Sequence, residues 1–135
     1  MEVVTFELSQ KLKVKGFNEP CYMYYHIHDN IEDSIASLEC TGGESDFINS
    51  YNRYRCAAPT ISQVLKWLRE ECGVFILIEP DILHPEYRLT FTIRIKFYIK
   101  GEEDEGFSYK YLSYRKNSYE EATLAGIEYV LDNLI

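Results

Sequence analysis

The residues best spaced for chemistry are His26 and His28, separated by Ile27 and followed by Asp29. On a strand, side chains two apart project from one face, so both imidazoles could reach a single metal ion. A catalytic metal needs about three protein ligands and an open position. The remaining histidine, His84, lies in a Pro-flanked segment, and no H-x-x-H or D-H pattern follows. Paired histidines on an exposed strand are usually only solvated. A metal-dependent enzyme built on His26, His28, Asp29 and a cysteine therefore ranks below the binding functions considered next.

Cys21, Cys40, Cys56 and Cys72 are widely and almost evenly spaced, with no C-x-x-C pair, which removes zinc-ribbon and thioredoxin-like sites. Cys72 falls in an apolar helix stripe, where a thiol behaves as a small hydrophobe. The sequence around the others gives no sign of a lowered pKa. Thr41-Gly42-Gly43-Glu44 is not a phosphate-binding loop, because an acidic residue directly after the glycines opposes a phosphate. Glu102-Glu103-Asp104-Glu105 lacks the alternating oxygen spacing and internal glycine of a calcium loop. No cofactor is expected, and the balance leans away from an enzyme.

The strongest candidate surface is basic and aromatic. Arg88, Arg94, Lys96 and Tyr98 share one parity along a strand, Lys100 continues it, and Lys110 and Tyr114 are expected to join across the ladder. Rings that stack on bases and cations that track phosphates make such a face resemble a single-stranded nucleic-acid platform. Lys and Arg are also ordinary occupants of an exposed sheet face. A formal net charge of −8 disfavours polyanions and anionic membranes.

The elements that would carry these residues follow from pattern. Thr5 to Gly16 is ambiguous: helix is preferred, with Thr5 as N-cap and Leu8 and Leu12 on one face, over a strand in which lysines alternate with Leu12 and Val14. Cys21 to His28 reads as a Tyr-rich strand. Asn30 to Glu39 fits a short helix or a strand equally, and the stretch up to Ala58 is irregular. Thr60 and Gln63 form a capping box opening a helix that ends at Gly73. Its expected stripe is Ile61, Val64, Leu65, Leu68 and Cys72. Val74 to Glu79 reads as a buried strand. From Arg88 to Ile99, apolar and polar residues alternate with period two, the signature of a strand with one face in the core. Phe107 to Tyr114 returns as its partner. Ser118 and Glu121 cap a terminal helix whose stripe is Leu124, Ile127, Val130, Leu131 and Leu134.

The expected fold is therefore α+β: an antiparallel meander of about three to four strands with two to three helices packed on one face, as one domain over 1–135. A chain of 135 residues can bury a sizeable core without disulfides or metal. Apolar residues at 46% and charged residues at 27% are those of a globular protein. With no basic-then-apolar opening and no long apolar run, the default is a reducing cytoplasm and no membrane.

Thr5 to Cys21 (TFELSQKLKVKGFNEPC), Ala58 to Ile78 (APTISQVLKWLREECGVFILI) and Ser118 to Ile135 (SYEEATLAGIEYVLDNLI) together resemble small uncharacterised proteins of gut anaerobic bacteria and their phages or integrated elements. The resemblance implies a bacterial or phage setting. It brings no activity and no site residues, since its core phrase, Ala-Pro-Thr followed by Trp-Leu-Arg-Glu, is a capped helix. The leading expectation is a non-enzymatic accessory or regulatory interaction protein, contacting a protein partner or a second copy through a sheet edge. The surplus of tyrosine, 12 residues, suits contact surface as well as core.

Overall fold

The computed structural model describes residues 2–29, 34–42, 46–49, 53–80, 91–98, 107–116 and 118–135, with 29, 34, 35, 98 and 107–116 described as backbone only. Three helices and six strands follow in the order α1 (Phe6–Val14), β1 (Met23–Asp29), β2 (Ser34–Cys40), β3 (Arg55–Ala57), α2 (Ile61–Glu71), β4 (Val74–Pro80), β5 (Phe91–Tyr98), β6 (Phe107–Lys116) and α3 (Tyr119–Asn133). The α+β class with antiparallel sheets stands. The strands divide into two sheets, ordered β2-β1-β3 and β4-β5-β6. Residues group into two compact units, Met1–Gln63 and Val64–Ile135.

In the first unit α1 forms as preferred, with Thr5 Oγ1 accepting from the Leu8 amide at 3.3 Å. That bond satisfies one of the amides orphaned at a helix start. Leu8 and Leu12 are buried with Val4, Phe17, Cys21 and Cys56. The Tyr25 phenol donates to the Val4 carbonyl at 2.7 Å, and its ring meets Phe6 edge-on, tying β1 to the start of α1. The undecided segment after Asn30 is a strand from Ser34 to Cys40, paired with β1 residue for residue from Met23↔Cys40 to Asp29↔Ser34. The stretch expected to be irregular is anchored by Asn49. Its side chain donates to the Phe17 carbonyl at 2.9 Å and accepts from the Ala57 amide at 2.8 Å.

The first capping box is formed: the Gln63 amide donates to Thr60 Oγ1 at 3.2 Å, and the Thr60 amide donates to Gln63 Oε1 at 3.0 Å. Within α2, Val64, Trp67 and Leu68 are buried, so Trp67 joins the expected stripe. Gly73, at φ +67°, then turns the chain directly into β4, a conformation that a residue with a Cβ adopts at a cost.

The second unit is the expected meander. β4 pairs with β5 from Val74↔Phe97 to Pro80↔Phe91, and β5 pairs with β6 from Tyr98↔Phe107 to Phe91↔Lys116 with an irregularity between Phe91 and Ile93. Ile93 and Ile95 are fully buried while Arg94 and Lys96 are partly exposed, as period two requires. Ser118 Oγ accepts from the Glu121 amide at 3.1 Å and opens α3. From α3, Ile127, Val130 and Leu131 are buried together with Ala122 and Gly126. Gly126 explains how closely helix and sheet meet, since a Cβ there would stand 3.0 Å from Ile76 Cγ2 and 3.2 Å from Ile93 Cγ2. The strand from Val74 differs from the buried one expected: Val74 is buried, Ile76 and Ile78 partly so, and Phe75 and Leu77 are exposed. Only one face of this edge strand is covered by α3.

Replacing Gly126 with Val forces branched methyls into that contact, and the expected loss is about 2 kcal/mol, within the range for overpacked cores. A shift of the urea midpoint measures it. An unchanged midpoint would mean that α3 is not seated on Ile76 and Ile93.

Candidate functional site

The face of the second sheet turned away from α3 is built by parity. Residues of β4 and β5 that alternate with the buried set come to it: Phe75, Leu77 and Glu79 from β4, and Thr92, Arg94 and Lys96 from β5. The register aligns Phe75 with Lys96, Leu77 with Arg94, and Glu79 with Thr92. Phe75 is 37% exposed and Leu77 40%, large apolar side chains directly beside cations. Arg94 donates to Glu79 Oε1 at 2.7 Å across the diagonal of the ladder. Both partners are solvent-accessible, so this pair contributes below about 1 kcal/mol to stability and serves mainly to hold the guanidinium over the sheet.

The sequence-derived site residues separate accordingly. Arg94 and Lys96 stand together on β5. Tyr98 lies on the same strand, opposite Phe107 in register. Arg88 and Lys100 fall outside the described residues. In the ladder Lys110 pairs with Ile95, while Tyr109 and Tyr111 stand opposite Lys96 and Arg94. Turn length decides which parity of the return strand meets each face, and the composition of residues 101–106 offers no rule for counting it. Phe75 and Leu77 escaped notice because the apolar run from Val74 to Ile78 carries no alternation.

A second polar face lies on the first sheet. His26 and His28 are neighbours on β1, with ring centroids 4.7 Å apart, and His28 Nε2 lies 2.8 Å from Ser37 Oγ on β2. Tyr24 continues this face. Its hydrogen bond to Glu39 raises the phenol pKa, and the Arg55 guanidinium sits 5.2 Å from the centre of its ring. The two imidazoles are thus brought together as the spacing implied. Among the described residues, no group of three or more His, Cys, Asp or Glu side chains converges where a metal could be held. His84 lies outside the described residues.

The four cysteines are free thiols in different settings. Burial, assisted by Asp46 and Glu19, pushes Cys21 up to about 12, and burial pushes Cys56 up to about 11 against the opposing effect of Lys13. Neither holds the thiolate that nucleophilic chemistry requires. Cys40 is exposed at the end of β2.

Among the described residues no helix is long and apolar enough to cross a membrane. Comparison with protein-family models, with curated proteins and with solved structures gives no match for this chain.

The raised thiols set a pH dependence. An unfolded chain ionises these cysteines near the ordinary value of 9.0, whereas the folded chain keeps them protonated to about 12 and 11. The folded state therefore binds more protons in that window. Stability is full below about pH 9 and falls as pH rises toward 12. Urea titrations across that range check the sign, and Cys21→Ala is expected to flatten the decline. In native protein at pH 8, a thiol reagent is expected to label Cys40 quickly and to leave Cys21 and Cys56 unlabelled until the chain unfolds.

Proposed function

We propose that this protein is a non-enzymatic interaction protein, of an accessory or regulatory kind, that grips a protein partner with the face of the β4-β5-β6 sheet bearing Phe75 and Leu77. The observation that carries this is the pair of exposed apolar side chains set directly against Lys96 and Arg94. Recognition surfaces typically combine apolar anchors with a polar, charged rim, and arginine is enriched in them. Arg94, already oriented by Glu79, loses little freedom when a partner covers it. The resemblance to small proteins of gut bacteria and their mobile elements supports a bacterial or phage setting and a cytoplasmic partner.

Single-stranded nucleic acid is the second reading, favoured by the register that aligns Tyr109 with Lys96 and Tyr111 with Arg94. Against it stand the Glu79 carboxylate on the same face, 2.7 Å from Arg94, and the net charge of −8.

A photo-crosslinking residue at Leu77, introduced in cells, is expected to give a discrete protein adduct that is lost when Phe75 is changed to Asp. Fluorescence anisotropy of a labelled oligothymidylate at low salt is expected to stay flat. Salt-sensitive oligonucleotide binding abolished by Arg94→Glu with Lys96→Glu would replace the protein partner with nucleic acid. Absence of any discrete adduct at Leu77 would contradict the proposal.

A further inference from the structure

Among the described residues, four strand edges end the two sheets, and three carry features that block further pairing. β3 is three residues long and contains Arg55, β4 ends in Pro80, and β6 contains Lys110, Arg115 and Lys116. Short length, proline and basic residues are among the devices by which proteins protect such edges. β2 has none of them. Its seven residues, Ser34-Ile35-Ala36-Ser37-Leu38-Glu39-Cys40, include neither proline nor a basic residue, and its ladder with β1 runs without a bulge.

The direction of its backbone groups can be derived. The Thr41 amide donates to the Tyr22 carbonyl at 3.0 Å, so Thr41 and Tyr22 form a hydrogen-bonded pair in line with the β1–β2 register. Antiparallel pairs alternate, so Glu39, Ser37 and Ile35 also direct their amides and carbonyls toward β1. Ser34, Ala36, Leu38 and Cys40 direct theirs away from it. On the other side of β1 the same alternation holds, because Ile27 donates to the Tyr54 carbonyl and Ala58 donates to that of Met23.

We infer that β2 is a self-pairing edge: a second copy of this chain adds its own β2 antiparallel across a two-fold axis at Ser37. Only pairs of outward-directed residues can then exchange hydrogen bonds, and a two-fold at Ser37 provides them. Ala36 meets Leu38 of the second copy and Ser34 meets its Cys40, giving about eight hydrogen bonds across the junction. Glu39 falls opposite Ile35, so the one charged residue of the strand never faces its own copy. Leu38, 42% exposed in the single chain, comes within diagonal reach of the second Leu38 across the axis. The product is one continuous six-stranded sheet made from two three-stranded ones. The net charge of −8 on each copy opposes association, and at about 0.15 M salt that repulsion is screened beyond roughly 8 Å.

The full chain is tested in that salt by light scattering and by disulfide trapping. The wild type is expected to show the mass of two chains. The variant Ser37→Cys is expected to form an inter-chain disulfide under mild oxidation, because residues facing each other at the axis as a non-hydrogen-bonded pair have Cα atoms about 4.5 Å apart. Native Cys40 is expected to form none, since the two copies of Cys40 lie about 20 Å apart in this register. Ala36→Pro removes an outward amide and leaves the β1 ladder intact, so it is expected to give a monomer with an unchanged far-ultraviolet circular dichroism spectrum. A wild type that stays monomeric up to millimolar concentration overturns the inference. So does a failure of Ser37→Cys to cross-link, or a folded Ala36→Pro that remains a dimer; if Ala36→Pro does not fold, the Ser37→Cys result decides.

Discussion

Ile93 is sealed beneath α3 with Ile95 buried on the same face of β5, and the second unit depends on that packing. Each isoleucine contributes on the order of 1.5–3 kcal/mol by leaving water. Gly126 lets the helix approach until Ile76 and Ile93 fill the space where a Cβ would stand. Because side chains alternate with period two, burying these residues commits Arg94 and Lys96 to the opposite face. A slip of one residue would drive both cations under the helix, at a cost of several kcal/mol each. The register of the whole meander is therefore set by one packed contact, and so is the identity of the exposed face.

The proposed function rests on that asymmetry. A sheet covered on one side must present its alternate residues to solvent or to a partner. Here those residues include Phe75 and Leu77 as well as charged groups. Exposed apolar side chains beside an oriented arginine give a surface that can bind without a cleft. In the first unit the same logic yields a different chemistry. α1 and Val4 cover the side of β1 that carries Tyr25, and the opposite side displays Tyr24, His26 and His28 with Ser37, Glu39 and Arg55 in a hydrogen-bonded and stacked array.

Much of this was legible in the residues themselves. The two capping boxes, the stop at Gly73, the alternation through β5 and the stripe of α3 are local signals, and each appears where its chemistry demands. What escaped was decided by pairing over distance. Ser34 to Cys40 contains Ala, Leu and Glu, good helix formers, yet seven successive pairings with β1 hold it extended. The apolar run of β4 reads as buried because no polar residue interrupts it until Glu79, and no local signal says that α3 covers one face and leaves Phe75 and Leu77 exposed. The register of the return strand, which pairs Lys110 with Ile95, could not be counted through the hairpin from composition. Asn49, which bridges Phe17 and Ala57, sits in a polar stretch without any pattern.

Accessibility of side chains on the second sheet tests the central claim most directly. With a soluble gadolinium chelate added to methyl-labelled protein, relaxation of the Leu77 methyls is expected to be strongly enhanced, and that of the Ile93 and Ile95 methyls to be nearly unaffected. Equal enhancement at all three, or protection of Leu77 with exposure of Ile93, would contradict the placement of α3 and remove the face on which the proposed function rests.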